Sequence, residues 1–497
     1  MPSRPQRSED PLTSSGGSSD VPWNPWVDFA ALGTVVLAVA LLNDRWVSEE
    51  TRPPHWDMGW HLSNSLAYLD ALHPRTFYRL WTNYLFYPPF RYWTTLPFYL
   101  IFGTTVRVAV DTNIIFIALL AFSIYGIGWE LWNRWTGLLA AVFILASPFY
   151  VSQFKEYQLD APLGAMVAFS FYLLIKTNDF SQKKTSRLFG LSFALGMLTK
   201  WVFFLCLAFP LAEAVIQTWN TDPNSRKQRF LNLRDAAVIA SVLSLFLWYA
   251  HHPPKLIHDL WGYRSQGDPP AYAWYSISYY WNQLMPQLYL VPFCLFILGS
   301  LISLLWKEAR IRNRALLLFI VGNYVLFTLL HKDPRYTMPM LVGVSLVAVF
   351  PFSLIKNAAL KALLSLLLLT YCAHAFYFIS FGHGALSFKG VPFMNAQGYL
   401  IGAPSHENWH QEELVQTIDG YPPEEREVAS SGLTLMYFND YGLSYYAKRY
   451  GVRTKGIDER PAFLLVREPV EPSLTKDYRV VQKAVLPDGS TVELWKR

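Results

Sequence analysis

The sequence predicts an all-α polytopic membrane protein that ends in a small α/β domain, and three observations predict it. Apolar residues make up 52% of the 497 positions and charged residues only 16%, against roughly 25% charged in soluble domains. Apolar runs of about 20 residues recur, the length a helix needs to cross a hydrocarbon core of about 30 Å. The loops between these runs alternate in character. Basic loops lie at 178–187, 221–235, 306–314 and around Lys356 and Lys361. The other set is rich in aromatics, prolines and carboxylates and holds Asp57, Asp160, Lys200, the 251–285 stretch and His331–Tyr336. Lys and Arg collect on the cytoplasmic side of membrane proteins, so the second set is expected outside.

This alternation organises the rest of the chain. The net charge of +6 arises in the basic loops, where it orients the protein and favours anionic membrane lipids. No nucleic-acid partner is needed to explain it. Residues 1–25 are polar and Ser/Pro/Gly-rich and read as a disordered cytoplasmic tail. The run at 27–43 is longer than a signal-peptide core and lacks a small-residue cleavage site, so it reads as the first span. The segment 86–104 is apolar but carries Pro88, Pro89, Arg91 and Pro97. If it crossed, Asp57 and Asp160 would fall on opposite faces and the downstream basic loops on the wrong side. Its Trp and Tyr content suits the outer interface.

With that segment laid flat, the spans read 27–45, 107–127, 137–152, 161–177, 187–199, 201–219, 236–250, 286–305, 315–331, 336–355 and 361–380. That makes about eleven transmembrane helices over 26–380, with interfacial helices in the first outer loop. The protein is thus expected to be integral and multi-pass in a plasma or inner membrane, with a cytoplasmic amino terminus. Residues 381–497 form an extracytoplasmic α/β domain. Within it, 428–431 and 462–467 read as strands, 435–450 as a helix and 479–496 as a hairpin around Pro487-Asp488-Gly489. Cys206, Cys294 and Cys372 fall in apolar spans, so neither a disulfide framework nor a zinc pattern is expected.

Several outer residues could carry chemistry. Asp57 lies between Trp56 and Trp60 just past the first span. A partly dry setting raises carboxylate basicity and suits a general base, while a helix-capping role is the plainer alternative. Asp160 precedes Pro162 and would serve equally as an N-cap. Lys332 and Arg335 suit a phosphate or simple interfacial anchoring, and Lys200 reads as a phosphate partner or a snorkelling lysine. His55, Asp57 and His61 do not follow a recognised ligand spacing, so no metal site is assigned. The aromatics of 251–285, including Tyr279 and Tyr280, form a sugar-stacking wall or an aromatic belt.

The order of these pieces carries a resemblance. An Asp after the first span is followed by YPPFRYW, GLLAAVFILASPFYVSQFKEYQLDAPL, LGMLTKW and KDPRYTMPML. This succession resembles the GT-C glycosyltransferases, nearest the branch of protein O-mannosyltransferases and lipid A aminoarabinose transferases. FNDYGLSYYAKRYG in the tail is similar to a helix of bacterial members. The resemblance implies that Asp57 and Asp160 are catalytic. It also implies that Lys200, Arg335 and Tyr336 meet the phosphate of a polyprenyl-linked sugar donor, where Lys332 would add a further cation. His61, Tyr279 and Tyr280 are expected to contact sugar or acceptor. The family commonly has Asp-Glu in the first loop, whereas Met58 follows Asp57 here, and Trp60-His61 stands where Tyr is usual. This departure leaves the acceptor (lipid, glycan or protein) and a two-carboxylate metal site unassigned. No cofactor is required, and a divalent metal stays open.

The implied reaction is inverting transfer on the outer face, with Asp57 as general base and Asp160 orienting sugar or acceptor. The competing reading is a lipid-linked glycan flippase or transporter, which calls for ionisable residues within the spans. Glu213 is the main one here. A structural subunit of a cell-envelope complex is the third.

Overall fold

The computed structural model describes residues 25–83, 85–253, 257–258, 269–382, 386–388, 391–394, 401–469 and 472–497. The tail expected over 1–25 lies, except for Pro25, outside the described residues, as do 254–256 and 259–268 of the 251–285 stretch. The first helix, α1 (Pro25–Glu49), is apolar on all sides. It buries Leu32, Val36, Val39, Asn43 and Trp46 at spacings of three and four, while Leu37 and Leu41 stay exposed. A helix apolar all round with one packed stripe is suited to lipid on its other faces.

The first loop folds into α2 (Trp56–Asp70), α3 (Arg79–Thr82) and α4 (Phe90–Phe102). The chain continues through α5 (Val106–Asp111), α6 (Asn113–Leu131), α7 (Arg134–Leu145), α8 (Pro148–Phe154) and α9 (Asp160–Lys176). Next come α10 (Lys183–Met197), α11 (Phe203–Trp219), α12 (Pro223–Leu247) and α13 (Trp274–Leu288). The bundle ends with α14 (Leu290–Leu305), α15 (Lys307–Thr328), α16 (Met338–Val349) and α17 (Ala358–Phe381).

Each segment expected to span coincides with a helix or a run of helices. Among the described residues, six are long and apolar enough to cross a membrane, and up to seven if α7 and α8, bent by 62°, count as one. The chain is a multi-pass membrane protein.

The basic loops meet at one end of the bundle. Arg187 pairs with Asp235 at 2.8 Å, and Asn232 donates to the Phe180 carbonyl at 2.8 Å. From that end α9 runs back to Asp160, about 25 Å away at 1.5 Å per residue. Glu213 also lies near the basic end, paired with Arg314 from the start of α15.

α4 has 13 residues, fewer than the roughly 20 a crossing requires. Its Arg91 is fully buried and donates to Thr112 Oγ1 at 2.7 Å and Asn113 Oδ1 at 2.8 Å, with its guanidinium over the Tyr157 ring at 4.2 Å. The charge that made 86–104 a poor span thus ties α4 to the head of α6.

The tail builds a five-stranded sheet from β3 (Glu427–Ser431), β4 (Arg453–Thr454), β5 (Phe463–Arg467), β6 (Arg479–Val485) and β7 (Thr491–Lys496). A separate two-stranded antiparallel pair, β1 (Leu386–Phe388) and β2 (Val391–Met394), precedes it. The strand order is β4-β3-β5-β7-β6, parallel across the first three and antiparallel across the last three. The expected hairpin turns where Gly489 takes φ +82°, a conformation open to glycine at no steric cost. The helix expected over 435–450 begins only at Asp440, as α19 (Asp440–Arg449). Asn439 is extended and its side chain accepts from the Gly442 N–H, so the cap sets a later start than periodicity suggests.

The tail is not a free appendage. Met58, Leu62 and Leu66 of α2 share one hydrophobic core with Leu414 of α18 (Gln411–Asp419), Leu443 of α19 and Phe463 and Leu494 of the sheet. α2 and α19 touch at Gly59, where a Cβ would come within 2.8 Å of the Gly442 nitrogen. Gly59→Val should therefore force the two helices apart. Overpacking of this kind costs about 1–3 kcal/mol. A lowered melting temperature in a thermal scan of the purified protein is expected, and an unchanged one would show that this contact is loose.

Candidate active site

Local sequence puts each charged group at a chain break on the end of the bundle opposite the basic loops. Pro53 and Pro54 hold the chain extended into His55 (φ −69°, ψ 171°), so α2 opens at Trp56 and Asp57 lies in its first turn. There a carboxylate meets the positive end of the helix dipole. Asp160 is the first residue of α9, with Pro162 two places on. Lys200 sits in the break between α10 and α11. Arg335 lies on the 3-10 turn Pro334–Thr337, which Asp333 caps by accepting from the Arg335 N–H at 2.8 Å.

These residues line one cavity of about 360 Å³. Asp57, His61, Asp160, Lys200, Arg335 and Tyr336 all contribute to its wall. Trp60, Phe86, Tyr87, Gln158, Leu159 and Tyr441 complete it. Two cations organise the charge. Lys200 Nζ donates to Asp160 Oδ1 at 2.8 Å, with both groups buried and the ammonium 5.3 Å from the Tyr336 ring and 5.6 Å from that of Tyr87. Arg335 reaches Asp57 Oδ2 at 2.6 Å with one nitrogen and Asp333 Oδ2 at 2.7 Å with another.

Three expectations from the sequence are corrected here. Asp160 is not an N-cap, because its side chain makes no cap bond and is held by Lys200 instead. Nor is Lys200 a snorkelling lysine, since it is 4% exposed and turned inward. The expected rise in Asp57 basicity is also overturned. Burial does push its carboxyl up, but the charge and hydrogen bond of Arg335 outweigh this and hold it below the ordinary carboxylate value. The same balance of burial against Arg335 lowers Asp333.

Other expected residues lie elsewhere. Lys332 Nζ donates to the carbonyls of Thr328 and Leu330, both at 2.7 Å, at the end of α15. Free carbonyls at a helix terminus attract a cation in this way, and Lys332 does not line the cavity. Tyr280 of α13 is buried with its hydroxyl toward the His331 carbonyl, and Tyr279 packs edge-on against it. Neither lines the cavity, whereas Tyr272, Trp274, Tyr275 and Trp281 are exposed.

The structure adds residues that sequence reasoning passed over. Tyr87 was visible in YPPFRYW but had no reason to be singled out. Phe86 takes φ +65°, uncommon for a bulky non-glycine residue. Asp333 was hidden in the KDPRY motif behind its basic neighbours. Tyr441 comes from the tail helix α19, which sequence alone places in another domain.

The site does not fit a two-carboxylate metal centre. Each cavity carboxylate is already held by a cation, and Met58 offers only a thioether beside Asp57. His55 turns away to pair with Glu156 Oε2 at 3.3 Å. Among the described residues, no group of three or more His, Cys, Asp or Glu side chains is arranged to hold a metal.

Comparison with known proteins agrees with this architecture. Residues 87–249 match the family model of dolichyl-phosphate-mannose-protein mannosyltransferases. ArnT from Cupriavidus metallidurans, solved bound to undecaprenyl phosphate, superposes with a TM-score of 0.64 at 16% identity over 95% of this chain and 98% of that one. The oligosaccharyltransferase of Archaeoglobus fulgidus superposes at 0.54 with 11% identity, over 87% of this chain and 65% of that one. The arabinofuranosyltransferase AftD from Mycobacteria gives 0.54 at 13% identity over 94% and 40%. No curated protein matches the sequence. The fold is that of the GT-C proteins. The likeness to the family model is confined to residues 87–249, within that shared fold.

The Arg335 contact carries a measurable consequence. A carboxyl held below its ordinary value adds stability above that value, and the gain is lost as pH falls through the lowered one. Arg335→Met should raise the titration of Asp57 and remove this contribution, so the variant is less stable than the parent at neutral pH and the deficit shrinks as the pH falls through the acid range. Carboxyl-carbon NMR of Asp57 is the check. An unmoved titration would mean that Arg335 does not set it.

Proposed function

We propose that the chain moves a sugar from a polyprenyl-phosphate donor to an acceptor on the extracytoplasmic side, with inversion at the anomeric carbon. The observation that carries this reading is the single cavity pairing Asp57 with Arg335 and Asp160 with Lys200, at the end opposite the basic loops. The amino terminus is cytoplasmic on this reading and the tail domain outside. ArnT, the similar structure, is itself bound to undecaprenyl phosphate.

The polyprenyl phosphate departs as a monoester that takes up a second negative charge when the anomeric C–O bond breaks, so the site needs cations for the leaving group and a base for the acceptor hydroxyl more than it needs an acid. Lys200 and Arg335 are fixed donors of positive charge where phosphate charge grows. Asp57 takes the acceptor proton as its oxygen attacks the anomeric carbon from the face opposite the phosphate. Asp160, immobilised on Lys200, orients the sugar.

The ion pair between Arg335 and Asp57 supplies an order to these events. In the ligand-free site, Arg335 keeps Asp57 weakly basic. A donor phosphate competes for the same guanidinium, and as it takes that contact Asp57 loses its strongest stabilising partner and gains basicity. The base is therefore activated by the arrival of donor.

A transporter would require charge within the spans. Glu213 is instead neutralised by Arg314 near the basic end, which favours the enzyme. Asp57→Asn should lower transfer by about 10²–10⁴-fold, the usual worth of a general base, with expression and membrane insertion intact. Full activity in that variant would sink the base assignment. Arg335→Ala should raise the KM for donor more than that for acceptor in steady-state assays, and the reverse pattern would remove the phosphate role. A reporter fused after Lys183 should be cytoplasmic, and an external signal there would invert the topology.

A further inference from the structure

His61 stands one helical turn after Asp57 on α2, so the two side chains share a face. Its ring is 4% exposed and packs among Trp60 at 5.0 Å, Tyr87 at 5.6 Å and Tyr92 at 6.1 Å. Nδ1 lies 2.9 Å from the hydroxyl of Tyr92 on α4. Tyr92 does not line the cavity, whereas His61 does. With Nδ1 turned to Tyr92, Nε2 is the nitrogen left to the cavity.

The buried surroundings decide which nitrogen carries the proton. Tyr92 is fully buried and stacks on Tyr68 at 5.2 Å. Burial lifts its phenol well above the ordinary value, so the O–H is retained and must donate. The Asn64 amide lies against the same phenol, and its nitrogen has no acceptor in hydrogen-bonding geometry among the described residues. The amide therefore leaves the phenol to His61, and the buried O–H, with Nδ1 at 2.9 Å, donates there rather than stay unsatisfied. Nδ1 then accepts, and the proton of a neutral imidazole resides on Nε2.

Protonation of the whole ring is opposed. Burial pushes His61 down to about 3; Asp57 pulls the other way, and Lys200, Arg335 and Arg91 add to the depression. A neutral ring suits the cavity. Asp57 already has its cation in Arg335, and an imidazolium beside it would compete for the base.

We infer that His61 is a neutral hydrogen-bond donor, fixed as the Nε2–H tautomer by Tyr92, that binds a hydroxyl oxygen of the transferred sugar next to Asp57. The inference rests on the proposed donor and gives this site a substrate-positioning residue where the resemblance leads one to expect a tyrosine. A neutral donor grips an uncharged sugar oxygen without disturbing the paired charges that handle phosphate and proton.

The test uses the full chain in lipid nanodiscs with ring-¹⁵N histidine, and His61→Gln assigns the signal among the 11 histidines. The expected result is an Nε2–H tautomer that does not titrate between about pH 5 and 8. Its signal should move on adding undecaprenyl-phosphoryl mannose, glucose or arabinose more than on adding bare undecaprenyl phosphate. Tyr92→Phe should mix the tautomers and bring the titration into that range. In transfer assays, His61→Leu should lower kcat/KM by about 10- to 100-fold, the worth of one lost hydrogen bond in a closed site, and His61→Gln should recover part of it. An Nδ1–H tautomer in the parent would overturn the inference, as would a response to bare lipid equal to that of every sugar-bearing lipid. The NMR readout needs no turnover, so it can fail or hold separately from the glycosyltransfer reading, which the Asp57→Asn assay decides.

Discussion

Arg335 is the interaction on which the site depends. It joins Asp57, in the first loop, to Asp333 and the head of α16, across 278 positions of sequence. Asp333 holds the guanidinium through Nε and a terminal nitrogen together, the two-pronged geometry that suits arginine and not lysine. That grip leaves one terminal nitrogen to face Asp57. The result is a cation fixed in place by one carboxylate and shared with another, so only the second contact is free to exchange. A ligand anion can displace Asp57 without dislodging Arg335.

The pair of Asp160 and Lys200 works differently. Both groups are almost fully buried, and removing either partner of a buried pair typically costs about 3–5 kcal/mol because a charge is left unmet. The two residues hold the starts of α9 and α11 against each other, and Tyr87 and Tyr336 enclose the ammonium between their rings. This side of the cavity is rigid where the Arg335 side is exchangeable. Under the proposed transfer, the rigid side would hold the sugar and the exchangeable side would meet the phosphate.

Most of this was legible because sidedness is written in charge. Lys and Arg counts along the loops are read by the membrane itself, so they report on the far face as well. Treating 86–104 as non-crossing brought Asp57, Asp160, Lys200 and Arg335 to one end, and α4 proves too short to span. What could not be read was pairing. Whether Asp57 is made more or less basic depends on where a residue 278 positions away points, and flanking tryptophans suggested the wrong sign. Lys332 and Arg335 look alike in KDPRY, yet one caps α15 and the other enters the cavity. Three residues of chain on a turn decide that difference. The aromatics of 251–285 were over-read for the same reason: composition marks an interface but not which rings face a ligand.

The tail shows how far the site extends beyond the helical bundle. Tyr441 lines the cavity from α19, and α19 is seated on α2 through the Gly59 contact. Lys448 of α19 donates to the Ser63 carbonyl, and Ser444 meets Ser63 through its hydroxyl. α2 is thus fixed along its length by a helix from the far end of the chain. It carries both Asp57 and His61, and its register sets how each faces the cavity. A rotation of one residue, about 100° on a helix, would take both side chains off the cavity wall. The tail domain therefore bears on the cavity by holding α2 in register.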